Sequence, residues 1–357
     1  VKETDEKALR EQLSRFRDLP ESKSLKKVKD TQFQMLRLSE YDVASWINLR
    51  DFDWFIKQNL RKFPLPITID LEKNYLTSTS IFEEGQVNTQ VKLHNLNGSL
   101  QNYKEIFKAD ISSDLTQKVA TQSPMGVLGL GLKMGGIKDI FNSIGGSIFT
   151  GQARFYTGET PNKIIDMLSG DVVAVLQDVD NRQEEEAAYK YLIGLGIADT
   201  STLNSILKKF TEDKVLIEQD SAYYISDSNL YVLRNDQQLF ITSSDSLRDI
   251  VLVQESADPV MPAYRPNPES FLATYADVRQ ESREKLPMSL FYDDYFTAGL
   301  ARSIDTPIES LEMHIQSFKD SIFESNIDLY FKDKSQNALI SVVEAMQQLQ
   351  SPPKSPN

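Results

Sequence analysis

Residues 87–107 read VNTQVKLHNLNGSLQNYKEIF, and residues 326–346 read NIDLYFKDKSQNALISVVEAM. In the first, Val87, Thr89, Val91 and Leu93 alternate with Asn88, Gln90, Lys92 and His94. A period of two is the pattern of a half-buried strand with one wet face. Asn97 can then cap a helix carrying Leu100, Tyr103, Ile106 and Phe107. In the second, Ile327, Leu329 and Phe331 alternate with Asp328 and Tyr330, and Ser335 or Asn337 caps a helix with Leu339, Val342, Val343 and Met346. A further extended run precedes each, ITIDL at 67–71 and LEMHI at 311–315. The spelling strand, connection, strand, short polar loop, helix therefore occurs twice. The parallel points to two related halves, although any strand–strand–helix unit would be spelled the same way. The predicted class is α+β: antiparallel sheets with helices packed on one face, the natural packing for such units.

Outward from these segments, residues 1–30 read as a narrow amphipathic helix and a linker with Pro20 and a lysine run. Residues 31–168 form the first α+β half and 169–350 the second, and the tail 351–357, SPPKSPN, is expected to be disordered. Within the halves, a helix is expected over 41–48 behind Ser39. A strand is expected over 148–157, and a helix after Thr160 with Pro161 in its first turn. DVVAVLQ at 171–177 is an apolar strand. Helices are expected over 184–193, over 203–210 and, behind Asn267 and Pro268, over 268–280. Short strands at 214–218, 222–225, 230–234 and 239–243 are spaced as a meander. Nearly half of the 15 glycines fall between Met125 and Phe149. That stretch predicts either an irregular or short-helical insertion packed on the core, or a mobile apolar flap that contacts a partner protein or a membrane surface. Gly129, Gly131, Met134 and Gly135 are its candidate contact residues.

The 357 residues carry 52 acidic and 39 basic side chains, a net charge of −13, with no cysteine and two histidines. An acidic field repels phosphate backbones, so nucleic acid is not an expected partner. Without cysteine there is no thiol nucleophile, disulfide framework or Cys-based metal site. No run of 18 apolar residues occurs, so no transmembrane helix is expected. The sequence opens at Val1 without a signal peptide, so an export signal or a lipidated cysteine would lie upstream.

No catalytic motif is present. The glycines around 129–135 lack the spacing of a phosphate cradle, and no GxSxG nucleophile elbow occurs. His94 and His314 fall on the polar phase of their strands and are expected to be exposed. Asp178, Asp180 and Asn181 could offer hard oxygen ligands to Ca²⁺ but lack the rest of an EF-hand loop, so they read as a polar turn. Asp293 and Asp294 point in different directions and are not a natural acid–base pair. No cofactor, metal or catalytic residue is predicted. Among the aromatic clusters, Tyr292 and Tyr295 are the candidates for stacking on a glycan, against the plainer reading that they are core.

The strand DVVAVLQDV at 171–179, the meander LYVLRNDQQLFITSS at 230–244 and the closing FESNIDLYFKDKSQNALISVVEAM at 323–346 together resemble uncharacterised lipoproteins of the Bacteroidetes envelope. The resemblance implies a long ectodomain behind a lipidated cysteine, anchored at the outer membrane. It supplies no catalytic residues. The expected function is that of a non-enzymatic envelope binding or accessory protein that contacts another envelope protein. The alternative is a surface protein that binds or cleaves carbohydrate.

Overall fold

A computed structural model describes residues 40–49, 74–95, 104–119, 123–143, 145–180, 188–219, 222–225, 228–235, 237–253, 267, 269–285, 307–316 and 322–350. Its strands are β1 (Val43–Asn48), β2 (Tyr75–Glu83), β3 (Gln86–His94), β4 (Gly126–Gly131), β5 (Leu168–Asp180), β6 (Ala188–Ile197), β7 (Ile217–Gln219), β8 (Ala222–Ile225), β9 (Leu230–Asn235), β10 (Gln238–Thr242), β11 (Leu272–Asp277), β12 (Ile308–Ile315) and β13 (Ile322–Phe331). Its α-helices are α1 (Ser113–Lys118), α2 (Met134–Ser143), α3 (Thr150–Thr157), α4 (Pro161–Met167), α5 (Thr200–Glu212), α6 (Asp245–Val253), α7 (Gln280–Lys285) and α8 (Ala338–Gln350).

All thirteen strands join one sheet, in the order β1-β2-β3-β13-β12-β11-β4-β5-β6-β10-β9-β8-β7, and every neighbouring pair is antiparallel. This corrects the predicted α+β class. There are not several sheets with helices on one face, but one dominant sheet that runs through both expected halves, with a few helices laid on both of its faces. The pairing of sequence segments is corrected too. The strands of VNTQVKLH and NIDLYF are hydrogen-bonded neighbours, β3 and β13, rather than equivalents.

The strand order has its own symmetry. Read outward from the central pair, it runs β4-β5-β6-β10-β9-β8 on one side and β11-β12-β13-β3-β2-β1 on the other. Strand for strand, β8–β13 repeat β1–β6, with β7 added at the edge. Each three-strand group, β1–β3 and β8–β10, lies against the last strand of the other repeat, β13 and β6 respectively. The strand ends coincide: Gly126–Gly131 falls on Leu272–Asp277, and Ala188–Ile197 on Ile322–Phe331. With the observed registers, Val173, Val175, Leu192, Gly194 and Phe240 then correspond to Glu312, His314, Asn326, Asp328 and Asn88.

Those positions share one sheet face. On the β4–β10 side they form the main core: Val173, Leu192 and Phe240 are fully buried beneath Leu115 of α1, Val119 just beyond it, and Leu247 of α6. The opposite face carries α5, whose Leu203, Ile206 and Leu207 pack with Met167, Ile197, Val232 and Leu239. It also carries α8, whose Ala338 and Val342 pack on Val87, Leu329 and Phe331. The caps are those read from sequence for α4, where Thr160 Oγ1 accepts from Lys163 N with Pro161 in the first turn. For α5, Asp199 Oδ1 accepts from the amides of Ser201 and Thr202. In α8 the inward face differs from expectation: Ala338 and Ser341 are buried, while Leu339 and Val343 are exposed.

Five segment assignments change. Residues expected as helices at 41–48, 184–193 and 268–280 supply β1, β6 and β11, and the expected strand at 148–157 is a short 3₁₀ turn followed by α3. The start of the glycine-rich stretch is β4, at the centre of the sheet. The expected N-terminal helix and linker, ITIDL and the tail lie outside the described residues.

At the end of β11, Asp277 is 4% exposed. Arg279 donates to it from Nε (3.0 and 3.1 Å), from Nη2 (2.5 Å) and from its backbone N (3.0 Å), and Ser282 Oγ donates at 2.8 Å. Burial pulls this carboxyl upward, but the bonds from Arg279 and Ser282 outweigh it and hold it below the ordinary value. A depressed folded-state value gives stability that is present above the unfolded carboxyl range and lost as pH falls through the folded value. Stability of the wild type is therefore expected to fall more steeply between pH 5 and pH 3 than that of Asp277→Asn. Urea midpoints at the two pH values check this.

Candidate functional site

Between β4 and β5 the chain leaves the sheet as a helical excursion, α2, the 3₁₀ turn Gly146–Phe149, α3 and α4. Its first and last helices are tied together where Lys138 Nζ of α2 donates to both carboxylate oxygens of Asp166 of α4, at 2.9 and 2.6 Å. Its outer rim is apolar. Ile148 is 81% exposed, Phe155 75%, Tyr156 63% and Phe149 51%. Phe155 and Tyr156 meet edge to face at 5.1 Å, and Phe149 leans on Phe141 at 6.4 Å. Scattered exposed hydrophobics are normal on a soluble protein, but four large ones within nine residues form a patch of the kind that interfaces use.

The residues predicted as contacts separate. Gly129 and Gly131 lie inside the sheet and touch no surface. Gly129 pairs with Ala273 and Val173, and Gly131 N donates to Phe271 O at 2.7 Å. A Cβ on Gly131 would run into the Asp110 carbonyl, so this glycine serves close backbone packing. Met134 and Gly135 start α2, and only Gly135 has open space where a side chain would be. The apolar residues at the far end of the excursion, Phe155 and Tyr156 beyond the glycine-rich stretch included, were missed because their run reads as a strand. Tyr292 and Tyr295 lie outside the described residues.

A second feature lies on the sheet. On the β11–β2 side, the face that is core on the other side is polar. Glu312 of β12 stands opposite Asp328 of β13, and His314 stands opposite Asn326. The His314 Nε2 is 3.5 Å from Glu312 Oε2. One ligating atom each from Glu312, His314 and Asp328 falls within a 4.8 Å span. His314 is 12% and Glu312 21% exposed at the side chain, and His314 Nδ1 is buried without a hydrogen-bond partner. His314 and Asp328 border a concavity of about 460 Å³, with Thr79, Gln90, Asn326 and Tyr41 around its wall.

The electrostatics are those of an under-neutralised acidic site. Burial raises the Asp328 carboxyl, Glu312 raises it further, and His314 only partly opposes them. Burial, then Glu312 and Asp328, push the Tyr330 hydroxyl up to about 12. Among the described residues no lysine or arginine is ion-paired with Glu312 or Asp328. Like charges directly opposite on neighbouring strands cost up to about 1 kcal/mol. Asp328→Asn is therefore expected to raise the stability of the metal-free protein at pH 7 by up to about 1 kcal/mol. The sign follows from the raised carboxyl: its cost is present above the folded value and absent below the unfolded one, so the gain disappears near pH 3. Thermal melts at both pH values measure it.

The expectation of two exposed histidines is corrected. His94 is 2% exposed, stacks on Tyr75 at 4.3 Å and shares a 3.0 Å hydrogen bond between Nε2 and Thr77 Oγ1. It is a satisfied structural side chain. Asp178 is not free for Ca²⁺, since Lys285 donates to it at 2.8 Å and Lys190 lies 3.7 Å away. Asn181 lies outside the described residues.

No protein-family model matches the chain, and no curated protein is similar to it. Among solved structures, it has a weak likeness to two crystal forms of TP0453, each at 10% identity. Form I covers 68% of this chain and 100% of its own, with a TM-score of 0.31, and form III covers 66% and 99%, with a TM-score of 0.33. No helix among the described residues is long and apolar enough to cross a membrane.

Proposed function

We propose that this chain is a non-enzymatic binding or accessory protein of the cell envelope, and that it contacts another envelope protein through the rim of its helical excursion. The observation that carries the reading is the exposed cluster Ile148, Phe149, Phe155 and Tyr156. Large aromatic and aliphatic side chains are the anchors around which protein interfaces concentrate their binding energy. The cluster sits on the 3₁₀ turn Gly146–Phe149 and on α3, where its side chains are exposed and a partner can reach them without disturbing the core. The envelope part of the reading, with a lipid anchor upstream at the outer membrane, is supported by the sequence resemblance at 171–179, 230–244 and 323–346. The acidic net charge of −13 speaks against nucleic acid as the partner.

The test is co-purification of the tagged chain from gently solubilised source membranes, wild type against Phe155→Asp and Ile148→Asp. A stoichiometric envelope protein should be recovered with the wild type and fall at least tenfold with either variant. Both positions are exposed, so neither variant should change stability by more than about 0.5 kcal/mol. Equal recovery with wild type and both variants would sink the assignment of the rim. Flotation of the purified chain with lipid vesicles, lost in the same variants, would make the rim a lipid contact instead.

A further inference from the structure

We infer that Glu312, His314 and Asp328 form a binding site for one divalent first-row transition-metal ion, with Zn²⁺ as the probe of its class. This goes beyond the contact proposed at the helical rim and stands on different residues.

The donor set is the first ground. One imidazole and two carboxylates, each from its own strand position, bring a ligating atom to within 4.8 Å of the others. Ligands around a small dication are somewhat closer together than that, so the three would draw in when one binds. A mixed nitrogen and oxygen set suits Zn²⁺ and its neighbours, whereas Ca²⁺ and Mg²⁺ call for oxygen donors throughout. The backbone that carries the set is rigid, because β12 and β13 are both interior strands of the sheet.

The second ground is an unmet polar atom. His314 Nδ1 is buried and has no hydrogen-bond partner, while Nε2 faces Glu312. Buried polar atoms without partners are uncommon and call for an explanation such as an ion. A cation held by the imidazole and the two carboxylates would also balance the like charges of Glu312 and Asp328, which stand opposite one another and which no described lysine or arginine pairs. The concavity beside them leaves room for water or a ligand to complete the coordination.

The third ground is comparison within the molecule. The positions equivalent to Glu312, His314 and Asp328 are Val173, Val175 and Gly194, and there the sheet face is ordinary apolar core. The same backbone frame thus accepts a fully apolar solution. Three ionisable groups on the other side are not required by the fold.

The experiment uses untagged full-length chain stripped with EDTA and titrated with Zn²⁺ against a chromogenic chelator. One equivalent should bind, and His314→Gln and Asp328→Asn should each weaken it at least tenfold, with Glu324→Gln, on the same strand, within twofold of wild type. Absence of a one-equivalent phase, or affinity within twofold of wild type in both His314→Gln and Asp328→Asn, would overturn the site. A readout on the unaltered protein guards against variants that fail to fold. The chain has two histidines, so imidazole ¹⁵N spectra at one equivalent of Zn²⁺ should move one set of signals, from His314, and leave the buried His94 unmoved. Movement of neither set, or of both, would also overturn it.

Discussion

Gly170→Ala is expected to unfold the protein or to lower its stability by about 4 kcal/mol or more, at the tail of what single substitutions do. Gly170 has φ +93°, a conformation that costs a residue with a Cβ about 1–2 kcal/mol. It lies where the register between β5 and β6 shifts, between Leu168 and Val172. The larger effect is steric. A Cβ built there collides with the carbonyl of Leu132, and Leu132 N in turn donates to Gly170 O at 2.8 Å. Relief therefore cannot come from turning a side chain. It would require moving the end of β4 away from β5, and β4 is one of the two strands on which the whole sheet is centred. A urea titration followed by circular dichroism reads the result. Gly135→Ala is the control: it lies in α2 with nothing within 4 Å of the new methyl, and it should be neutral or slightly stabilising, since alanine favours a helix by about 1 kcal/mol over glycine. A Gly170→Ala protein as stable as wild type would mean that the β4–β5 junction yields easily.

How much of this was legible depends on how many faces of an element meet water. β3 and β13 each keep one polar face, so their alternation names them as strands and even names the wet residues. β4, GVLGLG, has only apolar residues and glycines on both faces, and β11, LATYAD, mixes polar and apolar residues along its length, so neither spells a clean alternation. A short apolar run of that kind has no period to distinguish strand from helix. Glycine-rich β4 was further disguised, because glycine usually weakens a strand, and here it allows the close approach of Asp110 to Gly131. The opposite error at 148–157 has a similar cause: IFTGQARFYT is rich in aromatic and β-branched residues, yet it belongs to an excursion with no strand partner at hand. The α-helix starts that sequence named at Thr160 and at Asn337 are decided by local capping, which needs no knowledge of the rest of the chain.

The candidate metal ligands were half legible. The alternation LEMHI put Glu312 and His314 on one face, and NIDLY put Asp328 and Tyr330 on one face. What was missing is the register that sets Glu312 opposite Asp328. Reading β12 and β13 as a hairpin across the short segment 316–321 would have brought the three together. The signal is a polar phase shared by two strands adjacent in sequence, and it is weak because an alternating strand ordinarily turns that phase to solvent.

Phe240→Ala is expected to cost about 3–5 kcal/mol, the range for removing a buried aromatic ring. Phe240 is fully buried and packs with Leu115, Val119, Leu192 and Leu247 beneath two helices. Its ring has room because Gly194 lies beside it; a Cβ at Gly194 would press on Leu115, Val119 and Phe240 together. The surroundings are held by β6 and β10 on one side and by α1 and α6 above, so they cannot collapse into the space. The equivalent position across the sheet is Asn88, half-buried, with Nδ2 3.2 Å from Glu83 Oε2. Asn88→Ala should change stability by no more than about 0.5 kcal/mol, as surface positions do. The pair of urea midpoints, measured with an unchanged denaturant slope, tests the division of labour that the strand order implies. One side of a repeated frame is sealed by helices and supplies the stability. The other keeps the same backbone with polar side chains, and is thereby free to hold Glu312, His314 and Asp328 at the cost of little core. Equal losses at Phe240 and Asn88 would mean that both sides bear the fold, and a charged cluster on the second would then have to be explained as structure.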